Sequence, residues 1–421
     1  MVKGGIAFLF FLLLSLIPSE LYFQIGGVRF EAYRLFLLIY TVFNIQNILN
    51  TRFEKFERWI FFFCGWSLIS FVAVHGISGI QSGVIRFLEV GVVYYIGRDF
   101  CLNGGAFAVR YILLSVSIAF LLMVPLALQE SKDGIRVTHV IAADLAGTYA
   151  EAFIGDNYFR HGVYRSSVVF SHPILYSVIA MSLIVMTWYV FSGVVRYLFI
   201  FGYLVAAYAS MTSAGFIMLA MQVGLIILDR LNMYIPGIRK SVVRLTILVL
   251  VGLQLFTTQG AIKLLLNVLA LNPETAFARY YQWENAWDDV MRNKIFGIGF
   301  NEWTRPWWMP DSIDSYWLHM AVVHGLVGVS IIATFWVLLF KYLFSSYQVS
   351  KDRLIFVMSC AVLGIIFGGI TVAFFDRAQT FTYLFLGMMT GYTYKRMAVI
   401  YSREQTVNAP NNSVERLRNY A

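Results

Sequence analysis

Apolar runs recur along the whole chain, each of about 17–25 residues, the length that carries a helix across the hydrocarbon core of a bilayer. Short polar connections separate most of them, and two long polar stretches interrupt the series. The pattern predicts about twelve spans, near residues 5–19, 33–49, 59–75, 82–97, 108–128, 167–191, 197–211, 214–229, 242–258, 316–340, 354–375 and 380–394. The expected fold class is an all-α polytopic membrane protein with two large outer, periplasmic loops that contain short amphipathic helices. Its organisation reads as N-terminal membrane helices over 1–128, a first outer loop over 129–173 and middle membrane helices over 167–258. A large outer loop over 259–315, C-terminal membrane helices over 316–394 and a cytoplasmic tail over 395–421 complete it.

The second long loop is the largest segment that cannot sit in hydrocarbon. Asn272-Pro273 predicts a helix start there, with Asn as N-cap and Pro at the first helical position. Ala276, Tyr280, Trp283, Trp287 and Val290 then recur at helical spacing as one apolar-aromatic face, and Gly297 and Gly299 end the helix. Ahead of it, GAIKLLLNVLALN is too short to span and reads as a helix lying in the interface. Trp303, Trp307, Trp308, Tyr316 and Trp317 suit the headgroup level.

Composition agrees with the pattern. Charged residues make up 13% of the 421, where a soluble domain carries roughly 25%. The formal charge of +9 does not point to nucleic acid, because most of the 32 Lys and Arg fall in short loops and a tail on one side of the alternating spans. The positive-inside rule then puts both termini in the cytoplasm. The polar tail after Lys395 is expected to be loosely ordered. The first apolar run lacks a small-residue cleavage site and reads as a retained helix. Cys64, Cys101 and Cys360 are scattered and form neither a disulfide framework nor a metal motif, and no GxxxxGK[ST] loop is present.

Arginine is the distinctive residue of the two long loops. Arg160 and Arg165 flank His161 in YFRHGVYRSS, Arg279 lies on the loop helix, Arg305 is in TRPWW, and Arg377 is in the FFDRAQT turn. A planar, permanently charged fork of donors suits phosphate, so the set points to an anion site beside aromatic sugar-stacking surfaces. The alternative for each arginine is a contact with lipid headgroups or a nearby carboxylate. His172, before Pro173, is a candidate base or phosphate donor. Arg86 and Glu89, three apart within a span, are expected to share a helix face as an ion pair or as a link to the bundle interior. Arg34 reads as snorkelling, and His319 and His324 as structural.

Three segments resemble the bacterial O-antigen polymerase and O-antigen ligase superfamily: YRSSVVFSHPILYSV, RYYQWENAWDDVMRNKIFGIGF and DSYWLHMAVVHGLVG. The resemblance implies an enzyme that joins sugars carried on a polyprenyl diphosphate at the outer face of the bacterial inner membrane. With arginines available for the diphosphate and no carboxylate cluster in the sequence, no metal or cofactor is expected. The resemblance names as partners the lipid-linked glycan donor, a glycan or lipid A-core acceptor and membrane lipids. A chain-length regulator and a flippase are further expected partners. On this reading Asp314, Arg279, Arg165 and His172 are catalytic, and Arg160, His161, Arg305, Trp303, Tyr316, Arg86 and Arg377 bind substrate. Asp314 stands where the ligases carry His, and MTSAG at Met211–Gly215 lacks the family's Arg at the mid-chain turn. Both departures favour a polysaccharide polymerase over a ligase. A lipid-linked glycan transporter is the alternative from another class, although the chain shows no internal repeat of the kind transporters carry.

Overall fold

The computed structural model describes residues 4–25, 28–256 and 273–408. The interfacial helix expected over 260–272 lies outside the described residues. Helix dominates the rest. The first half holds α1 (Gly5–Ser15), α2 (Ala32–Asn50), α3 (Arg58–His75), α4 (Gly79–Arg86), α5 (Val93–Gly104), α6 (Ala106–Asp133) and α7 (Val137–Ala146). The second holds α8 (Pro173–Val190), α9 (Gly193–Ala209), α10 (Ser213–Tyr234), α11 (Ile238–Phe256) and α12 (Pro273–Arg292). The chain ends with α13 (Tyr316–Ser350), α14 (Arg353–Gly368) and α15 (Asp376–Asn408).

Among the described residues, six helical stretches are long and apolar enough to cross a membrane, against about twelve spans expected for the whole chain. One of them, Arg58–Gly104, folds back on itself at Gly76–Ser78 and packs so closely that a Cβ on Gly79 would lie 2.2 Å from the Phe71 carbonyl oxygen. Four further apolar helices, among them Gly5–Ser15 and Arg353–Gly368, are shorter. The span expected over 354–375 ends early, at Gly368, where the chain turns before α15. The helix over 380–394 instead runs on from Asp376 to Asn408, so the expected loose tail is helical as far as that residue. The good helix formers just past the apolar part, such as Lys395, Arg396, Met397 and Glu404, explain that extension.

Two small antiparallel hairpins were not anticipated. Strand β1 (Tyr22–Ile25) pairs with β2 (Val28–Glu31), and β3 (Phe159–Arg160) pairs with β4 (Val163–Tyr164). Both have local sequence signals: Gly26-Gly27 joins the first pair, and His161-Gly162 the second. His161 and Gly162 both take positive φ, 51° and 85°, as a tight two-residue hairpin turn with the right twist demands.

Helix α8 runs through the centre, with 78% of it buried compared with 28% of an 18-residue apolar stretch of α10 beside it. Around it the helices approach through small residues. Gly387 and Gly391 form a G-x-x-x-G on α15 and meet α5 so tightly that a Cβ on either would lie within 2.2 Å of a Tyr94 or Arg98 carbonyl oxygen. Helix α13 is broken at Gly325, whose φ is 70°. The groups freed by the break are met from outside: Ile298 N donates to Val322 O at 2.8 Å, and Leu326 N to Lys294 O at 2.7 Å. That stitching fixes the segment after α12 against α13.

Ionisable groups collect beside the loop end of α2. Arg34 does not snorkel: it reaches Glu31 at 2.9 Å and Glu89 at 2.8 Å. Of the two expectations for Arg86 and Glu89, the link to the bundle interior holds and the ion pair between them does not form. A π-helical turn over Phe87–Val92 shifts the phase between them, and Arg86 donates to Gln379 while Glu89 also accepts from Tyr33. Arg377 is buried and donates to Glu31 at 2.7 Å, Ile17 O at 2.7 Å and Val169 O at 3.2 Å. It thus ties the N-terminal segment and the first long loop to α15. Arg377→Ala leaves Glu31 buried with less counter-charge and should destabilise the protein by about 3 kcal/mol, read as a lowered thermal midpoint in detergent. An unchanged midpoint would show that the tether carries no net stability.

Candidate functional site

At the loop end a cavity of about 250 Å³ opens where distant parts of the chain meet. The β3–β4 hairpin supplies Arg160 and His161, the segment before α8 supplies Arg165 and His172, and α12 supplies Arg279. Asp314, two residues before α13, closes one side, and Met211, Thr212 and Ser213 of the α9–α10 turn form another. Six of the residues singled out in the sequence therefore share one cavity. Its definite charges are three guanidiniums and one carboxylate.

Arg165 is held by backbone. Its N donates to Tyr158 O at 3.0 Å and its Nε to Ser210 O at 3.0 Å, which leaves the Nη end of the fork toward the cavity. Burial, with Arg160 adding like charge, pushes its guanidinium down to about 10. Arg279 is 4% exposed. Its Nε and Nη1 are buried without a hydrogen-bond partner among the described residues, and the nearest carboxylate oxygen, Oδ2 of Asp314, is 3.7 Å from Nε. Burial lowers its pKa, and Asp314 opposes that shift. Two buried arginines with spare donors are costly unless an anion completes them.

Asp314 is positioned by α12. Gln282, three residues after Arg279, accepts from Asp314 N at 3.0 Å and donates to Ser312 O at 3.1 Å. The next residue, Ser315, caps α13 by accepting from Leu318 N and donates to Gly369 O at 3.2 Å. Burial raises the Asp314 pKa, while Arg279 and then Arg165 pull it back, so the carboxylate is basic yet has counter-charges at hand. His172 caps α8. Pro173 has no N–H, Ile174 is the first amide needing an acceptor, and His172 Nδ1 accepts it at 3.2 Å.

The other five candidates do not line the cavity. Trp303 is buried against Ala286, Val290, Met309 and Ile313, with its Nε1 donating to Asp311 O at 2.7 Å. Arg305 lies over the Trp303 ring, 5.9 Å from its centroid, and near Glu302. Tyr316 is buried with its hydroxyl 2.8 Å from that of Tyr383. Arg86 and Arg377 belong to the buried contacts described above. All five are committed to packing or pairing, which a motif cannot reveal.

The structure also brings in residues that were passed over. Glu130, at the end of α6, is buried and accepts from Ser166 Oγ, Ser167 N, Ser167 Oγ and Val168 N at 2.9–3.2 Å. It clamps the segment that follows Arg165, where Val168 takes a positive φ of 55°. An acidic residue at the end of an apolar run carries no local sign of this role. On α12 the buried face is Arg279, Gln282, Ala286, Asp289 and Val290, so the expected aromatic face is displaced and Trp287 is 42% exposed. Asp289 explains the shift, because it holds Thr304 through both N and Oγ1. The helix itself starts at Pro273 as expected but stops at Arg292, before Gly297.

Fold and cavity together define an all-α, membrane-embedded protein with a cation-rich cavity at its loop end. No family model matches the sequence, and no curated protein matches it. Among the described residues, no three His, Cys, Asp or Glu side chains are grouped to hold a metal ion.

Proposed function

We propose that this chain is a membrane glycosyltransferase that polymerises polyprenyl-diphosphate-linked oligosaccharide units. The single observation that carries the reading is the cavity that Arg160, Arg165 and Arg279 share with Asp314, with two buried Arg279 nitrogens that make no hydrogen bond to any described residue. A diphosphate leaving group needs such cations as its negative charge develops, each well-placed donor being worth on the order of 3 kcal/mol. The acceptor hydroxyl needs a base within hydrogen-bond reach, and Asp314 fits that role.

In the reaction, the acceptor oxygen attacks the anomeric carbon as its proton passes to the Asp314 carboxylate. The bond from that carbon to the phosphate oxygen breaks, and its electron pair leaves on the polyprenyl diphosphate against the arginines. Attack opposite the leaving group inverts the anomeric carbon. In this reading about twelve spans cross the bacterial inner membrane, both termini are cytoplasmic, and the cavity faces the periplasm. Glycan supplied by a flippase and measured by a chain-length regulator completes the scheme. The resemblance to the O-antigen polymerases supports it, as does Asp314 in place of the ligase histidine.

Deleting the gene in its host and resolving surface glycan on a gel tests the proposal. Collapse of a ladder to single repeat units, restored by the wild-type gene, is the expected outcome. Long polymer stranded on the polyprenyl carrier would make the protein a ligase, and units confined to the cytoplasmic leaflet would make it a transporter.

A further inference from the structure

His172 is the one cavity residue whose two ring nitrogens face different tasks. Nδ1 accepts the Ile174 amide at the start of α8, and a neutral imidazole that accepts at one nitrogen carries its proton on the other. Nε2 makes no hydrogen bond to any described residue, and the ring lines both the main cavity and a smaller one of about 50 Å³ beside Asp314. Tyr158 meets the ring at 5.7 Å between centroids and supports its orientation.

We infer that His172 serves the cavity as a neutral hydrogen-bond donor, presenting Nε2–H to an oxygen of the bound diphosphate, and not as a base. This rests on the reading of the cavity as a diphosphate site. The assignment follows from the helix cap: a base or an imidazolium would each need the pair of nitrogens in another state. A base needs Nε2 bare, hence the proton on Nδ1, where it would oppose the Ile174 N–H. An imidazolium would set the same two donors against each other, amid Arg160, Arg165 and Arg279, with Asp314 the one carboxylate of the lining. Burial, followed by the charges of Arg165, Arg160 and Arg136, pushes the imidazole down to about 3, in keeping with a ring that stays neutral.

Purified protein in detergent can be titrated with inorganic pyrophosphate as the probe, alongside thermal unfolding. His172→Asn keeps an acceptor for the cap and offers an N–H to the cavity, so its unfolding midpoint should hold and its affinity should stay within about tenfold of wild type. His172→Asp keeps the cap acceptor but replaces the donor by a negative charge, and should lose about a hundredfold in affinity with its midpoint held. The ratio of wild-type to His172→Asn affinity should be flat between about pH 5.5 and 8.5, since titration of the probe cancels in the ratio. A ratio that changes tenfold or more through that window, or equal binding by His172→Asp, overturns the assignment. Arg279→Ala separates the two claims. If it binds pyrophosphate as wild type does, or wild type does not bind it, the diphosphate site itself fails and the role of His172 falls with it.

Discussion

Arg279→Ala is expected to abolish polymer formation while the protein accumulates in the membrane at its normal level. The residue is buried on α12, and two of its nitrogens make no hydrogen bond to any described residue, the Asp314 carboxylate standing 3.7 Å from Nε. Packing of α12 rests on Ala286, Val290 and the Asp289–Thr304 bonds, which the substitution leaves alone. Loss of one preorganised donor group at a developing anion lowers the rate by roughly two to three orders of magnitude. Arg279→Lys should recover only part of that, because an ammonium cannot present a planar fork to phosphate oxygens. Chain length and amount on a glycan gel, with membrane protein level as control, give the answer. Unchanged polymer in the Ala variant would remove Arg279 from the site.

Asp314→Asn should cost about two to four orders of magnitude in rate, the range spanned by positioned general bases. The amide has nearly the same shape, and the bond from the Asp314 backbone N to Gln282 is untouched, so the start of α13 should stay in place. The pH dependence sharpens the test. A base works only when ionised, so wild-type activity is present above the Asp314 pKa and is lost as pH falls through it. Burial moves that pKa upward, so the acid limb should lie above the usual carboxylate range. In the Asn variant the residual rate should lack that limb. Rates measured across pH with isolated lipid-linked units would show it, and a limb that persists in Asp314→Asn would assign the base elsewhere.

Much of this molecule is legible in its sequence. Long apolar runs specify helices in a membrane because backbone groups there must pair within their own segment. The start of α12 was readable at Pro273, since the fixed φ of proline acts at one residue, while the expected cap Asn272 lies outside the described residues. Arginine and histidine on the two long loops gave five of the residues that line the cavity, and Asp314 made a sixth.

Other features lay beyond the range of local signals. Which face α12 buries depended on what it docks against, and Asp289 reaching Thr304 turned the helix away from the aromatic face that periodicity alone selects. A π turn separated Arg86 from Glu89, and Arg377 proved to be a tether because Glu31, Ile17 and Val169 surround it. The sequence by itself determined the kind of protein and the pool of charged side chains. Tertiary packing alone decided which of them meet: Arg160 and Arg165 lie more than a hundred residues from Arg279 and Asp314, and they share a cavity because α8, α9 and α10 bring their loop ends together. Helix propensity and caps act over a few residues, whereas that convergence depends on side-chain fit between helices far apart in the chain.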